Sequence, residues 1–147
     1  MSDTPIVTAC VENLTALLEE LNTVKKALFV YTQKELLDKT KNLPTLTTEV
    51  NVGVMYEAMI PRQQAQDTKT TIISTEISFI IIVLAKPDVA LGDKKAGVVA
   101  AMDVIRNQIK RKKAPTGHTW IFAGEQPVQE DDNMIIWAQR WTTANQV

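Results

Sequence analysis

The stretch from Thr70 to Ala85, TTIISTEISFIIIVLA, limits the fold more than any other, because its hydrophobic pattern changes half way along. Up to Phe79 the apolar residues Ile73, Ile77 and Phe79 alternate with polar Ser74, Glu76 and Ser78, the period-two signature of a strand with one wet face. From Ile80 the alternation stops, and Ile80, Ile81, Ile82, Val83 and Leu84 put apolar side chains on both faces of the pleat. Both faces of that half must be covered, either by a second layer of the same chain or by a neighbouring subunit.

The remaining chain supplies one layer readily. Val7, Cys10, Val11, Leu14, Leu17, Leu18 and Leu21 recur at intervals of three and four, which predicts an amphipathic helix over 4–22, with Asp3 or Thr4 as cap and Pro5 near its first position. ALFVY (27–31) reads as a short strand or extended link. TQKELLDKTKNLP then reads as a short helix ended by Pro44. In 46–56, Val50, Val52 and Val54 alternate with Glu49, Asn51 and Gly53, an amphipathic strand. PRQQAQDTK (61–69) has no large apolar residue and reads as the exposed tip of a long hairpin.

After Ala85, Asp93 is a plausible cap for a second long helix running to Lys113, with Ala96, Val99, Met102, Val104, Ile105 and Ile109 on its apolar side. HTWIFAG, EQPVQ, the turn EDDN and MIIWAQRW then give two or three strands carrying Trp120, Phe122, Trp137 and Trp141. Hairpin-joined strands with helices returning over them predict an α+β fold, a mostly antiparallel sheet of four to five strands with helices packed on one face. At 147 residues the chain is sized for a single domain, 1–147.

Two helices with one apolar stripe each suffice for one side of such a sheet. The second face of Ile80, Ile82 and Leu84 is therefore either a subunit interface or covered by the terminal hairpin or the short helix. Leaving the three wet would forgo about 1.5–3 kcal/mol each.

Chemistry is sparse. His118 is the only histidine and Cys10 the only cysteine, so no zinc set and no Cys-His or Ser-His-Asp arrangement is marked. LGDKKAG (91–97) lacks the spacing and the Ser or Thr of a phosphate-binding loop, and EDDN (130–133) lacks the alternating ligands of a calcium loop. The expectation is a non-enzymatic protein without catalytic, cofactor-binding or metal residues. Lone Cys10 on an apolar helix face reads as an inert buried thiol in a reducing compartment. The N-terminus lacks the basic region and apolar core of a signal peptide, and no apolar run reaches the roughly 20 residues that span a bilayer, so a soluble intracellular chain with no membrane partner is expected.

With 16 basic and 17 acidic side chains, any electrostatic partner must be met locally. Lys110, Arg111, Lys112 and Lys113, with Arg106 one turn earlier, are the sharpest charged feature. They suit ordinary helix termination, or an anion patch meeting either a DNA backbone or an acidic turn such as Glu130, Asp131 and Asp132 on a neighbour. Aromatic residues do not interleave with the cations, which disfavours single-strand binding.

The N-terminal helix, the ALFVY-helix-NLPTLTTEVNV passage, the hairpin with the PRQQAQDTK tip leading into ISFIIIVLA, and the helix followed by WIFAGEQPVQEDDNMIIWAQRW together resemble, in layout and over nearly the whole length, the tail terminator (tail completion) proteins of long-tailed bacteriophages. The resemblance implies a homo-oligomeric ring, a hexamer, that caps the tail tube, stops its polymerisation and joins tail to neck or head. It implies as partners the tail tube protein, a neck or head completion protein, and DNA only as it passes through the ring. The location implied is the virion, assembled in the host cytoplasm. Ile80, Ile82, Leu84, Arg106, Lys110, Arg111, Glu130, Asp131 and Asp132 would then serve the subunit interface, and Arg62, Gln63, Gln64 and Lys69 the tube or lumen. The alternatives are another phage neck, connector or tube component, or a small DNA-binding module using Arg106 and Lys110 to Lys113.

Overall fold

The computed structural model describes residues 4–24, 28–31, 50–61, 74–85, 97–130 and 135–146. The first helix, α1 (Ile6–Val24), opens as the Pro5 carbonyl accepts the Ala9 amide at 2.9 Å. Proline sits just outside, where its missing donor is not needed. Cys10, Leu14 and Leu18 on the apolar stripe are fully buried, and Val7, Val11, Leu17 and Leu21 pack alongside them. The second helix, α2 (Gly97–Ile109), buries Val98, Ala101, Met102, Ile105 and Ile109. Val99, expected on this stripe, is instead 54% exposed, since the 98–101–102–105–109 spacing takes the core side. Gln108 ties the two helices by donating to the Leu17 carbonyl at 3.0 Å and to Glu20 at 2.7 Å. Neither helix is long and apolar enough to cross a membrane.

Five strands form one sheet: β1 (Leu28–Tyr31), β2 (Val50–Pro61), β3 (Ser74–Ala85), β4 (Ile121–Glu130) and β5 (Ile135–Gln146), in the order β1-β2-β3-β5-β4. The fold is α+β and the sheet mostly antiparallel, the exception being β1, which runs parallel to β2. A parallel neighbour needs a crossover; residues 32–49, where the sequence predicts a short helix and the first turn of the β2 strand, lie outside the described residues, as do the Asp93 cap and most of the 61–69 tip. The last strand in sequence, β5, lies inside the sheet between β3 and β4 and pairs with β3 over its whole length, from Ser74↔Gln146 to Ala85↔Ile135. WIFAG and EQPVQ, readable as two strands, are one strand interrupted by irregularities between Phe122 and Glu125 and between Pro127 and Gln129.

Both helices cover the same side. Ile77, Phe79, Ile81 and Val83 of β3 join Val52 and Val54 of β2, Trp141 of β5 and the helix stripes in one apolar core. Helix α2 stops at Ile109, short of Lys113, because Arg111 takes the left-handed conformation (φ 67°) and turns the chain back. Lys113 then pairs with Thr119, and the Trp120 amide donates to the Lys112 carbonyl at 2.9 Å. This return drops Trp120 into the core, edge-on to Phe79 at 5.5 Å, with its indole N–H on Asn13 at 2.9 Å.

Candidate interaction surface

Strand β3 carries its even-numbered residues away from the helices. The register places Met55 of β2 beside Ile80, Gly53 beside Ile82, and Arg140 and Ala138 of β5 on their other side. Met55, Ile80, Ile82, Ile136 and Ala138 are all half-buried, and none belongs to the apolar core. Ile60, further along β2 on this face, is 56% exposed. Among the described residues, the result is a half-buried apolar sheet face over the middle of the strand that neither helix covers.

Polar groups frame this face. A bulge between Tyr56 and Ala58 frees Glu57 from the β2–β3 ladder, and its carboxylate reaches across β3 to accept both Nε of Arg140 at 2.7 Å and an NH2 of the same guanidinium at 2.6 Å. That forked contact raises the Arg140 pKa above its ordinary value, chiefly through the hydrogen bond. The irregularity in β4 at Gly124 (φ 112°) opens a depression of about 170 Å³ beside it, lined by Ile80, Ala123, Gly124, Gln126, Ala138 and Arg140 among others. Glu125 also lines the depression, with its carboxylate engaged by Arg106 and Gln139, and Arg140 is engaged by Glu57. Among the described residues no group of three or more His, Cys, Asp or Glu is placed to hold a metal.

Several expected site residues sit elsewhere. Leu84 is fully buried within the single chain, so it is not part of an open face and its place in a subunit contact is corrected. Arg106 does not join a free cation patch. It donates to Glu125 of β4 and to Asp103 at 3.1 Å, and the Glu125 hydrogen bond is the main reason its pKa rises. Glu125 also accepts from Gln139 at 3.1 Å, so this cluster fastens α2 to β4 and β5.

Lys110, Arg111, Lys112 and Lys113 are exposed in the turn after α2, and no ion pair among the described residues engages them. Glu130 ends β4, exposed, accepting the Trp137 indole N–H at 2.7 Å. Arg62, Gln63, Gln64, Lys69, Asp131 and Asp132 lie outside the described residues.

Sequence reasoning missed two features. The Glu57–Arg140 bridge depends on a bulge that has no sequence signal in β2. The other is the exposure of β4, where Ile121, Phe122 and Val128 are 57%, 42% and 59% exposed. Pro127 was the available signal for the second, since proline in a strand favours an edge.

No protein-family model matches the chain and no curated protein resembles it in sequence. Solved structures do share its fold: one, which carries no functional description, superposes with a TM-score of 0.53 over 97% of this chain and 94% of its own, at 16% identity. That likeness concerns the fold alone.

Proposed function

We propose that the chain is a non-enzymatic assembly protein of the phage tail, a terminator whose copies close into a hexameric ring on the last ring of the tail tube. The observation that carries the reading is the open sheet face. Both helices lie on one side, while Met55, Ile80, Ile82 and Ala138 on the other remain outside the core. A contact between that face and a different surface of the next copy is heterologous, and a heterologous contact that closes makes a ring. The layout shared with tail terminators, from the N-terminal helix to the terminal hairpin, supplies the identity of the ring. Tail-tube polymerisation in the presence of the chain tests this. Capped tubes of fixed length bearing a terminal ring in electron micrographs are the expected result, and tubes that lengthen unchecked with no bound chain would sink it.

A further inference from the structure

We propose that the outer edge of β4 is a pairing surface for a second copy of this chain, laid antiparallel across a two-fold axis. Among the described residues, strand β4 ends the sheet on this side, and almost all of it is exposed. Along it the chemistry is ordered. At its start stand the exposed cations Lys110, Arg111, Lys112 and Lys113, held there because Lys113 pairs with Thr119 and Lys112 with Trp120. Exposed Ile121 and Phe122 follow, then exposed Val128, and at the far end exposed Glu130. At about 3.3 Å per residue the strip is roughly 30 Å long.

A strip that reads positive, apolar, apolar, negative matches its own reversed copy. Laid antiparallel, each basic turn faces the partner's Glu130, and the Ile121–Phe122 end of the strand lies opposite the partner's Val128, with Ile121 on one face and Phe122, edge-on to Trp141 at 5.5 Å, on the other. Every such contact occurs twice, as an isologous interface requires. End-to-end stacking would satisfy the charges once and leave the apolar side chains wet. A nucleic-acid backbone would meet the cations but not Ile121, Phe122 and Val128. Pro127 offers no N–H and the two strand irregularities break the edge, so side chains rather than a continuous ladder carry the contact. The pairing assigns Lys110, Arg111 and Glu130 to the two-fold contact in place of the ring contact, which is left to the sheet face of Ile80 and Ile82.

Sedimentation and native mass measurements on the full chain, across concentration and salt, test it. A dimer that weakens as salt rises is expected. Lys112→Glu with Lys113→Glu, and separately Glu130→Lys, should each weaken it about tenfold or more. Both changes in one chain restore a self-complementary strip and should restore the dimer, as should mixing the two variant chains. Glu130→Gln keeps an oxygen for the Trp137 indole and isolates the charge, and Val128→Ser, at a side chain 59% exposed, should weaken pairing with the fold, followed by circular dichroism, unchanged. A monomer at every concentration, charge variants with unchanged mass, or no recovery in the combined chain would overturn the proposal. So would loss of duplex DNA binding on Lys112→Glu with Lys113→Glu at unchanged mass, which assigns the turn to nucleic acid. Tube capping is read separately, so a chain that pairs but never caps refutes the ring alone.

Discussion

Gln139 is fully buried on the helix side of β5, and all of its polar atoms are used. Its carbonyl oxygen accepts the Trp141 indole N–H at 2.6 Å, and its amide donates to the Met102 carbonyl at 3.1 Å and to Glu125. Gln139→Leu keeps the volume but strands the buried Trp141 N–H away from water, while the Met102 carbonyl, inside α2, keeps the Arg106 amide of the helix as its donor. Chemical denaturation should show a loss of about 1–3 kcal/mol for the group left without a partner. A change within a few tenths of wild type would mean that the network contributes nothing net. Cys10 gives the second prediction at this scale. Burial pushes its thiol up to about 11, against 9.0 for a free group. The unfolded chain therefore releases this proton at lower pH than the folded one, so stability is unaffected below pH 9 and falls as pH rises from there toward 11. The drop should be roughly 1–3 kcal/mol, at 1.36 kcal/mol per unit of pKa difference. Cys10→Ala should flatten that limb of the pH profile, and in the native wild-type chain the thiol should resist alkylation until the fold opens.

Among the elements, β5 has the position with the largest consequence: it comes last in sequence and lies inside the sheet, bonded to β3 on one side and β4 on the other. Amide exchange should be slowest in β3 and β5 and much faster in β4, whose outer edge is open. Protection in β4 that matches β5 in a verified monomer would contradict this order. Ending the chain before Ile135 should abolish folding, because β3 would lose one strand neighbour and β4 the only one it has among the described residues. None of this order was readable from periodicity. Pattern marks which residues form strands, as the alternation through Ile77 and Phe79 does for β3, but it does not say that the last strand inserts between two earlier ones or that β1 runs parallel. Helix ends were also misplaced for a tertiary reason. Lys110 to Lys113 are good helix formers, yet the chain turns at Arg111 because burying Trp120 against Phe79 outweighs one more helical turn. Val98 rather than Val99 faces the core from α2, and spacing alone does not tell the two neighbours apart. Alternation puts Ile80, Ile82 and Leu84 on one side of β3, as the register has them, but it does not reveal that Leu84 is fully buried there within one chain.

At the level of the whole molecule, that split between Ile82 and Leu84 separates folding from assembly. The two residues point to the same side of β3, two positions apart, but Leu84 is fully buried within one chain and Ile82 is only half-buried, outside the apolar core. A lysine at 84 must carry its charge into a site closed to water or lose it, a large penalty whichever occurs. Leu84→Lys should therefore cost more than about 4 kcal/mol and leave little folded protein. A lysine at 82 has a route out. Its stem can lie along Met55 and Ala138 while the ammonium reaches solvent on the open face, so Ile82→Lys should keep a cooperative unfolding transition within roughly 1–2 kcal/mol of wild type. In a ring the same ammonium is trapped between subunits, and binding at the tube end should fall by tenfold for each 1.4 kcal/mol of that penalty. Thermal unfolding and tube capping, measured on both variants, give a two-by-two outcome. If Ile82→Lys unfolds as completely as Leu84→Lys, the face is closed inside the single chain and the ring loses its support. If Ile82→Lys folds and still caps tubes, the ring is built through another surface.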